Sequence, residues 1–208
     1  MKRLLLENFY SWSVFSDARQ IDFNGHLWVR EGGNIVIDPV AISEADLAQL
    51  KELGGASLIV VTNRDHARMT ELFREETGAQ AVAHEEEDAA SFPFPVDRTV
   101  VEGEEIVPGM EVVHLRYGKS PGEIALVWPE LGAAFISDLV WGGPSGTFSF
   151  LPDEKLADPP RAALELRKLL AYPQITTILV GDGHSIFGNA REKLFECLAA
   201  RDDTWLTS

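Results

Sequence analysis

"LIVVTNRDHARMTELF", residues 58–73, is the stretch on which the interpretation of the whole chain depends. It begins as an apolar run of the kind that forms a buried strand, and it continues from Ala67 as a helical pattern. Two residues with metal-binding chemistry, Asp65 and His66, stand at the join. A plain helix start also explains them, because Thr62 followed by Asp65 matches a capping box and His66 fits a solvated first turn. The segment alone leaves both interpretations open.

Length and composition indicate one globular domain. The chain has 208 residues, enough to close a single hydrophobic core, so we expect one domain over residues 1–208. A formal charge of −15 argues against a nucleic-acid partner, which would require neutralising Lys and Arg side chains. No apolar run reaches the length of a signal peptide or a membrane span, so we expect a cytoplasmic protein that does not bind membranes. Cys197 is the only cysteine and is predicted to pack in the core. Homo-oligomerisation is left open.

The order of the predicted elements favours an α+β fold. Strands come first, with "FNG" (residues 23–25) and "EGGN" (residues 31–34) as the turns between them. Helices are predicted within residues 43–55 and 67–78, and strands return after an acidic stretch, followed by further helices. A doubly wound sheet would alternate strand and helix throughout. Two sheets packed face to face, with helices outside, therefore fit better.

Polar residues also follow predicted strands at three other places, which are Ser137–Asp138, "GDGH" (residues 181–184) and "GKSPGE" (residues 118–123). Strand ends that meet at one edge of a sheet allow their loops to converge on a site. Two imidazoles and two carboxylates would suit zinc, iron or manganese, and the candidates are Asp65, His66, Asp138 and His184. Taken singly, each also has a structural explanation. Asp138, for example, could simply turn the chain before a pair of glycines.

These segments together resemble the motifs of the metallo-β-lactamase-fold hydrolase superfamily. That family's pattern is His-x-His-x-Asp-His after a strand, a Gly-His-Thr-Pro-Gly-like turn, a strand-ending Asp and a late Gly-His. The matching segments occur in the same order and are "VTNRDH" (residues 61–66), "GKSPGE", "ISD" (residues 136–138) and "GDGH". The similarity covers nearly the whole chain. It implies a four-layer αββα sandwich and a metal-dependent hydrolase.

Three histidines of the family's pattern are replaced in this chain. Val61 and Asn63 stand where the first two would be, and Lys119 stands where the histidine of the turn would be. Valine cannot ligate a metal, an amide is a poor zinc ligand, and a cation repels a protonated lysine. The resemblance therefore implies that one metal subsite is absent. It leaves one divalent ion, zinc foremost with iron or manganese as alternatives, held by Asp65, His66, Asp138 and His184.

A mononuclear hydrolase is the first function that follows from the resemblance. Its metal would activate a water against an ester, thioester, lactone or similar small-molecule substrate. Asp138 would act as a ligand or base. Lys119 would pair with Asp138 or donate to a developing oxyanion, or else be an exposed turn residue. Asn63 would donate to the substrate, or satisfy the local backbone.

A second hypothesis belongs to another functional class. With half of the ligands replaced, the chain would be a non-enzymatic member that binds a small molecule or a protein partner in the former active-site pocket. A dinuclear, nuclease-like hydrolase is disfavoured by the lost subsite and the acidic charge. Trp141, Phe148 and Phe150 would form an apolar substrate wall or lid, or would pack onto the domain or an oligomer partner, and packing is favoured. The remaining histidines are predicted to be structural or solvated, and these are His26, His84 and His114.

Overall fold

The computed structural model describes residues 1–206, with the side chains of residues 1–201. It contains two compact units, Met1–Val100 and Val101–Ser208. Each unit has its own sheet and its own buried hydrophobic core. That the whole chain forms a single domain stays a prediction.

The first unit is built on a seven-stranded sheet whose strands lie in chain order. The first three pairs of neighbouring strands are antiparallel. The last three pairs are parallel and need longer crossover connections. The strands are β1 (Lys2–Arg3), β2 (Phe9–Ser16), β3 (Ile21–Trp28), β4 (Ile35–Ile37), β5 (Leu58–Val60), β6 (Gln80–His84) and β7 (Arg98–Val100).

Two helices provide the first crossovers of this unit. Helix α1 (Glu44–Glu52) joins β4 to β5, and helix α2 (Thr70–Thr77) joins β5 to β6. Ser43 caps α1 by accepting a hydrogen bond from the Asp46 N–H at 3.1 Å. Helix α2 ends at Gly78, whose φ of 73° is the left-handed value that favours glycine at this position.

One predicted turn is wrong. The "FNG" residues lie within β3, and the chain reverses earlier, at residues 17–20. Gly25 pairs with Trp12 across the β2–β3 hairpin, and a Cβ on Gly25 would lie 2.4 Å from the indole ring. Glycine is therefore required at this position for close approach of the ring rather than for chain reversal. The second predicted turn, "EGGN", is confirmed, with Gly32 at φ 84°.

The second unit contains a five-stranded sheet and a separate two-stranded sheet. Its strands are β8 (Glu105–Val107), β9 (Met110–His114), β10 (Ile124–Trp128), β11 (Ala133–Ile136), β12 (Val140–Gly142), β13 (Phe148–Phe150) and β14 (Thr177–Val180). The larger sheet has the order β14-β11-β10-β9-β8, and β12 pairs with β13. Strands β11 and β14 are parallel, and the other neighbours are antiparallel.

Helices α3 (Pro159–Leu166) and α4 (Ala190–Leu206) complete the second unit. Asp158 caps α3, which starts with prolines, a favoured position for this residue. Leu166 and Leu198 place the two helices in the unit's core, and Cys197 packs against that core, as expected. The predicted α+β class is confirmed. Within residues 1–206, none of the helices has both the length and the apolar composition that crossing a membrane requires.

Candidate functional site

The candidate residues of the first unit follow two neighbouring parallel strands. Ile37, at the end of β4, pairs with Val60, at the end of β5. Asp38 and Val61 therefore leave the sheet at the same edge, and the Asp38 N–H donates to the Val60 carbonyl at 3.1 Å. Loops at the carboxyl ends of parallel strands are common places for functional sites.

Asn63 caps the short 3₁₀ turn that follows β5. Its Oδ1 atom accepts hydrogen bonds from the backbone N–H groups of Asp65, at 2.9 Å, and His66, at 3.2 Å. Asn63 is fully buried. The amide thus satisfies local backbone groups, which was one of the two roles considered for it, and a contribution of Asn63 to catalysis stays a prediction.

A hydrogen-bond network connects the buried residues Asp38 and His66 with the partly buried Arg68. The Asp38 carboxylate accepts from the Thr62 N–H at 2.8 Å and from the Thr62 hydroxyl, so Asn63 rather than Thr62 caps the turn. The same carboxylate lies 2.6 Å from His66 Nδ1. On the opposite side of the ring, His66 Nε2 lies 2.9 Å from Arg68 Nη2. Neither Asp38 nor Arg68 was predicted from the sequence.

The two predicted metal ligands of the first unit have different environments. His66 is 1% exposed, so a solvated first-turn histidine is not what the chain contains. Asp65 is exposed. Val61, in the place of a family histidine, is fully buried and packs in the core of the unit. The role of Asp65 as a ligand stays a prediction.

In the second unit, Asp138 and Asp182 occupy equivalent positions after two parallel strands. Ile136 ends β11 and pairs with Val180, which ends β14. Each aspartate follows its strand end by two residues, and a carboxylate oxygen of one lies within 4.8 Å of a carboxylate oxygen of the other. Asp138 was predicted from the sequence and Asp182 was not, although both residues follow an apolar strand at the same distance.

Lys119 forms an ion pair with Asp138. Its Nζ atom donates to Asp138 Oδ2 at 2.9 Å, from the turn between β9 and β10. Asp138 is buried, and the lysine side chain is partly exposed. The pairing that the sequence suggested is confirmed, whereas a part of either residue in catalysis stays a prediction.

Glu123 holds the backbone on both sides of this ion pair. Its Oε2 atom accepts from the Lys119 N–H at 3.1 Å, and its Oε1 atom accepts from the Leu139 N–H at 2.9 Å. Glu123 is fully buried. Gly118 allows this arrangement, because a Cβ at that residue would lie 2.5 Å from Glu123 Oε2. This role of Glu123 was not predicted from the sequence.

The loop that carries His184 is fixed through its backbone. The Gly142 N–H donates to the Asp182 carbonyl at 2.9 Å, and the His184 N–H donates to the Gly142 carbonyl at 2.8 Å. Gly183 fits this crossing because it has no side chain, since a Cβ there would lie 2.2 Å from the Gly142 carbonyl oxygen. The His184 side chain is exposed, and its role as a metal ligand stays a prediction.

The aromatic residues after Asp138 pack rather than form an open lid. Phe148 is buried in the core of the second unit, Phe150 packs against that core, and Trp141 is half-buried with its ring against Gly143. The histidines outside the proposed constellation are structural rather than solvated, since all three are buried: His26, His84 and His114.

Comparison with known proteins agrees with the resemblance seen in the motifs. Residues 1–201 match the model of the family described as the metallo-beta-lactamase superfamily. The chain is similar to the di-iron-bound form of TTHA1623, with 27% identity, a TM-score of 0.66, and coverage of 85% of this chain and 94% of that one. No curated protein matches.

Two further solved structures show the same fold. The metallo-β-lactamase of Erythrobacter litoralis, with β-mercaptoethanol in its active site, has 18% identity and a TM-score of 0.74 over 95% of each chain. DIM-1 metallo-β-lactamase has 14% identity and a TM-score of 0.74, over 98% of this chain and 96% of that one. The metallo-β-lactamase-like fold that the motifs implied is confirmed.

Proposed function

The chain belongs to the metallo-beta-lactamase superfamily, and on this premise we propose that it is a non-hydrolytic member. It binds a small uncharged or cationic molecule, and it does so without a metal ion. Family membership does not decide the activity, because one fold supports many functions. The observation that carries the proposal is the ion pair between Lys119 Nζ and Asp138 Oδ2, at 2.9 Å.

This ion pair gives Asp138 a cation from its own chain. A divalent ion binds a carboxylate oxygen through the same lone pairs that an ammonium group uses, and the two cations repel each other. A metal ion at Asp138 would have to displace Lys119 from Oδ2, or bind the other oxygen against the repulsion of the nearby ammonium group. Asp138 is therefore a weaker metal ligand while Lys119 is in place.

The class of ligand follows from the charges in the second unit. Asp138 and Asp182 contribute two carboxylates, and Lys119 contributes one ammonium group, which leaves one negative charge in this cluster. The whole chain carries a formal charge of −15. Both charges repel anions and attract cations. An amine or an uncharged polar molecule is thus favoured over a carboxylate or a phosphate.

Metal analysis combined with activity assays tests the absence of hydrolysis. Protein purified without chelators is analysed for zinc, iron and manganese, and is assayed on esters, thioesters and lactones with and without added zinc. We expect neither stoichiometric metal nor turnover. The proposal is wrong if wild-type protein holds about one equivalent of metal that Asp138→Ala substitution removes, or if it hydrolyses any of these substrates.

The ligand class is tested with three probes of nearly equal size: n-butylamine, n-butanol and butyrate. Binding is followed by the backbone NMR signals of the residues that follow β11 and β14. We expect the amine or the alcohol to shift these signals and butyrate to leave them unchanged. Asp182→Asn should weaken the amine response. Preferential binding of butyrate would contradict the charge argument.

A mononuclear hydrolase, with zinc foremost and iron or manganese as alternatives, is the second candidate. It is favoured by the carboxylate oxygens of Asp138 and Asp182, which approach within 4.8 Å, a spacing that two carboxylates can have around one cation. The similar TTHA1623 structure, at 27% identity, is described as di-iron-bound. The metal analysis separates the candidates, because only the hydrolase requires an ion that both Asp138→Ala and Asp182→Asn release.

A further inference from the structure

Arg68 is hydrogen-bonded to Nε2 of His66, the ring nitrogen that a metal ion would need. We propose that Arg68 is a resident cation that keeps metal ions away from His66. This inference goes beyond the proposed function, because it concerns the first unit and holds whichever molecule the second unit binds.

The hydrogen-bonding capacity of arginine determines the state of the His66 ring. A guanidinium group can only donate hydrogen bonds. His66 Nε2, 2.9 Å from Arg68 Nη2, must therefore accept, and its lone pair points at the guanidinium. The ring proton then resides on Nδ1, which donates to Asp38 Oδ2 at 2.6 Å. His66 is thus a neutral imidazole whose one lone pair is engaged by Arg68.

This arrangement reproduces the environment of a metal-bound histidine. Such a histidine binds the metal through one ring nitrogen and donates the N–H of the other to a carboxylate. His66 has the carboxylate partner in Asp38, which Thr62 fixes through its N–H group and its hydroxyl. Arg68 takes the position of the metal. The orienting half of a metal site is therefore present, whereas the ligating nitrogen faces a cation that belongs to the chain.

Arg68 is held in this position by more than its contact with His66. Its guanidinium lies over the Phe23 ring, with the carbon of the guanidinium 4.7 Å from the ring centroid. Its backbone has a φ of 27°, a conformation that residues with a side chain rarely adopt. A strained backbone persists only where the surrounding structure stabilises it. The stacking and the backbone together distinguish Arg68 from a surface arginine that could move aside for an ion.

Removal of the guanidinium should make His66 available to metals. The experiment is a Zn²⁺ titration of the full chain, followed at the imidazole ¹⁵N signals of His66, which report binding at this ring whatever other groups bind zinc. Arg68→Gly is the main variant, because glycine accepts positive φ without strain. We expect its His66 signals to respond at zinc concentrations at least about tenfold lower than in the wild type. Arg68→Lys, which keeps a donating cation, should behave like the wild type.

Two results would overturn the proposal. One is a folded Arg68→Gly protein whose His66 signals respond to zinc at the wild-type concentration. The other is a wild-type protein whose His66 binds zinc stoichiometrically with Arg68 present. Arg68→Asn provides a second variant if Arg68→Gly does not fold, since asparagine also tolerates positive φ. An unchanged Arg68→Gly response leaves the proposed function intact, because that function is tested by the metal content and turnover of the wild type.

Discussion

Lys119 and Asp138 form an ion pair of unequal burial, in which 29% of the lysine side chain is exposed and only 6% of the aspartate side chain. The carboxylate has lost most of its hydration, and the lysine compensates for part of that loss. Glu123 holds the backbone beside both residues in place. It accepts hydrogen bonds from the backbone N–H groups of Lys119 and of Leu139, the residue after Asp138.

Replacing Lys119 should therefore destabilise the protein. We expect Lys119→Met to lower the free energy of unfolding by about 1–3 kcal/mol, because a nearly buried carboxylate loses its cation. Lys119→Arg keeps the charge and should cost less. Urea denaturation measures both values. Adding Asp138→Asn to Lys119→Met should restore part of the loss, and equal stability of all these variants would show that the ion pair contributes nothing.

Glu123→Gln tests the buried carboxylate that organises this region. A glutamine side chain has one acceptor oxygen, so one of the two N–H groups of Lys119 and Leu139 would face a donating NH₂ group instead. An unsatisfied buried donor costs about 1–3 kcal/mol of unfolding free energy. Glu130→Gln is a matched control, since Glu130 is exposed. We expect denaturant titrations to show the loss for Glu123 alone, and similar stabilities for the two variants would contradict this role.

The order of strands and helices could be predicted from the sequence because it depends on local patterns. The start of α1 at Ser43 and the end of α2 at Gly78 follow from cap chemistry within a few residues. The prediction of a turn at "FNG" was wrong for a non-local reason. Gly25 is required by the indole of Trp12, its partner on the neighbouring strand, and nothing in the adjacent sequence indicates that contact.

Only part of the candidate site could be predicted, because some of its contacts are also non-local. The pairing of Lys119 with Asp138 was predictable because the family's motifs align these positions. Asp182 was not predicted, although it follows β14 by two residues, as Asp138 follows β11. The position of Arg68 was not predictable, because its contact with His66 Nε2 depends on a positive φ that its own sequence does not favour.

Cys197 should be an unreactive thiol. Burial raises the pKa of Cys197 to about 11, so at pH 8 roughly one thiol in a thousand is ionised. The thiolate is the reactive form, and unfolding restores an ordinary cysteine pKa. We expect labelling by a disulfide reagent at pH 8 to be at least about 100-fold slower in the folded protein than in urea. Comparable rates in the two conditions would mean that the thiol is accessible and ionised in the native fold.

Gly183 and Gly146 form a matched pair that separates steric conflict from backbone strain. Their φ values are nearly equal, 82° and 81°, but a Cβ on Gly183 would lie 2.2 Å from the Gly142 carbonyl oxygen, whereas a Cβ on Gly146 would have no atom within 4 Å. Both alanine variants carry the cost of an alanine at positive φ, about 1–2 kcal/mol. Gly183→Ala must in addition break the crossing of the β14 loop with β12, and we expect it to lose at least about 2 kcal/mol more in chemical denaturation. If the two variants are equally stable, the hydrogen bonds of Gly142 with Asp182 and His184 do not hold that loop in place.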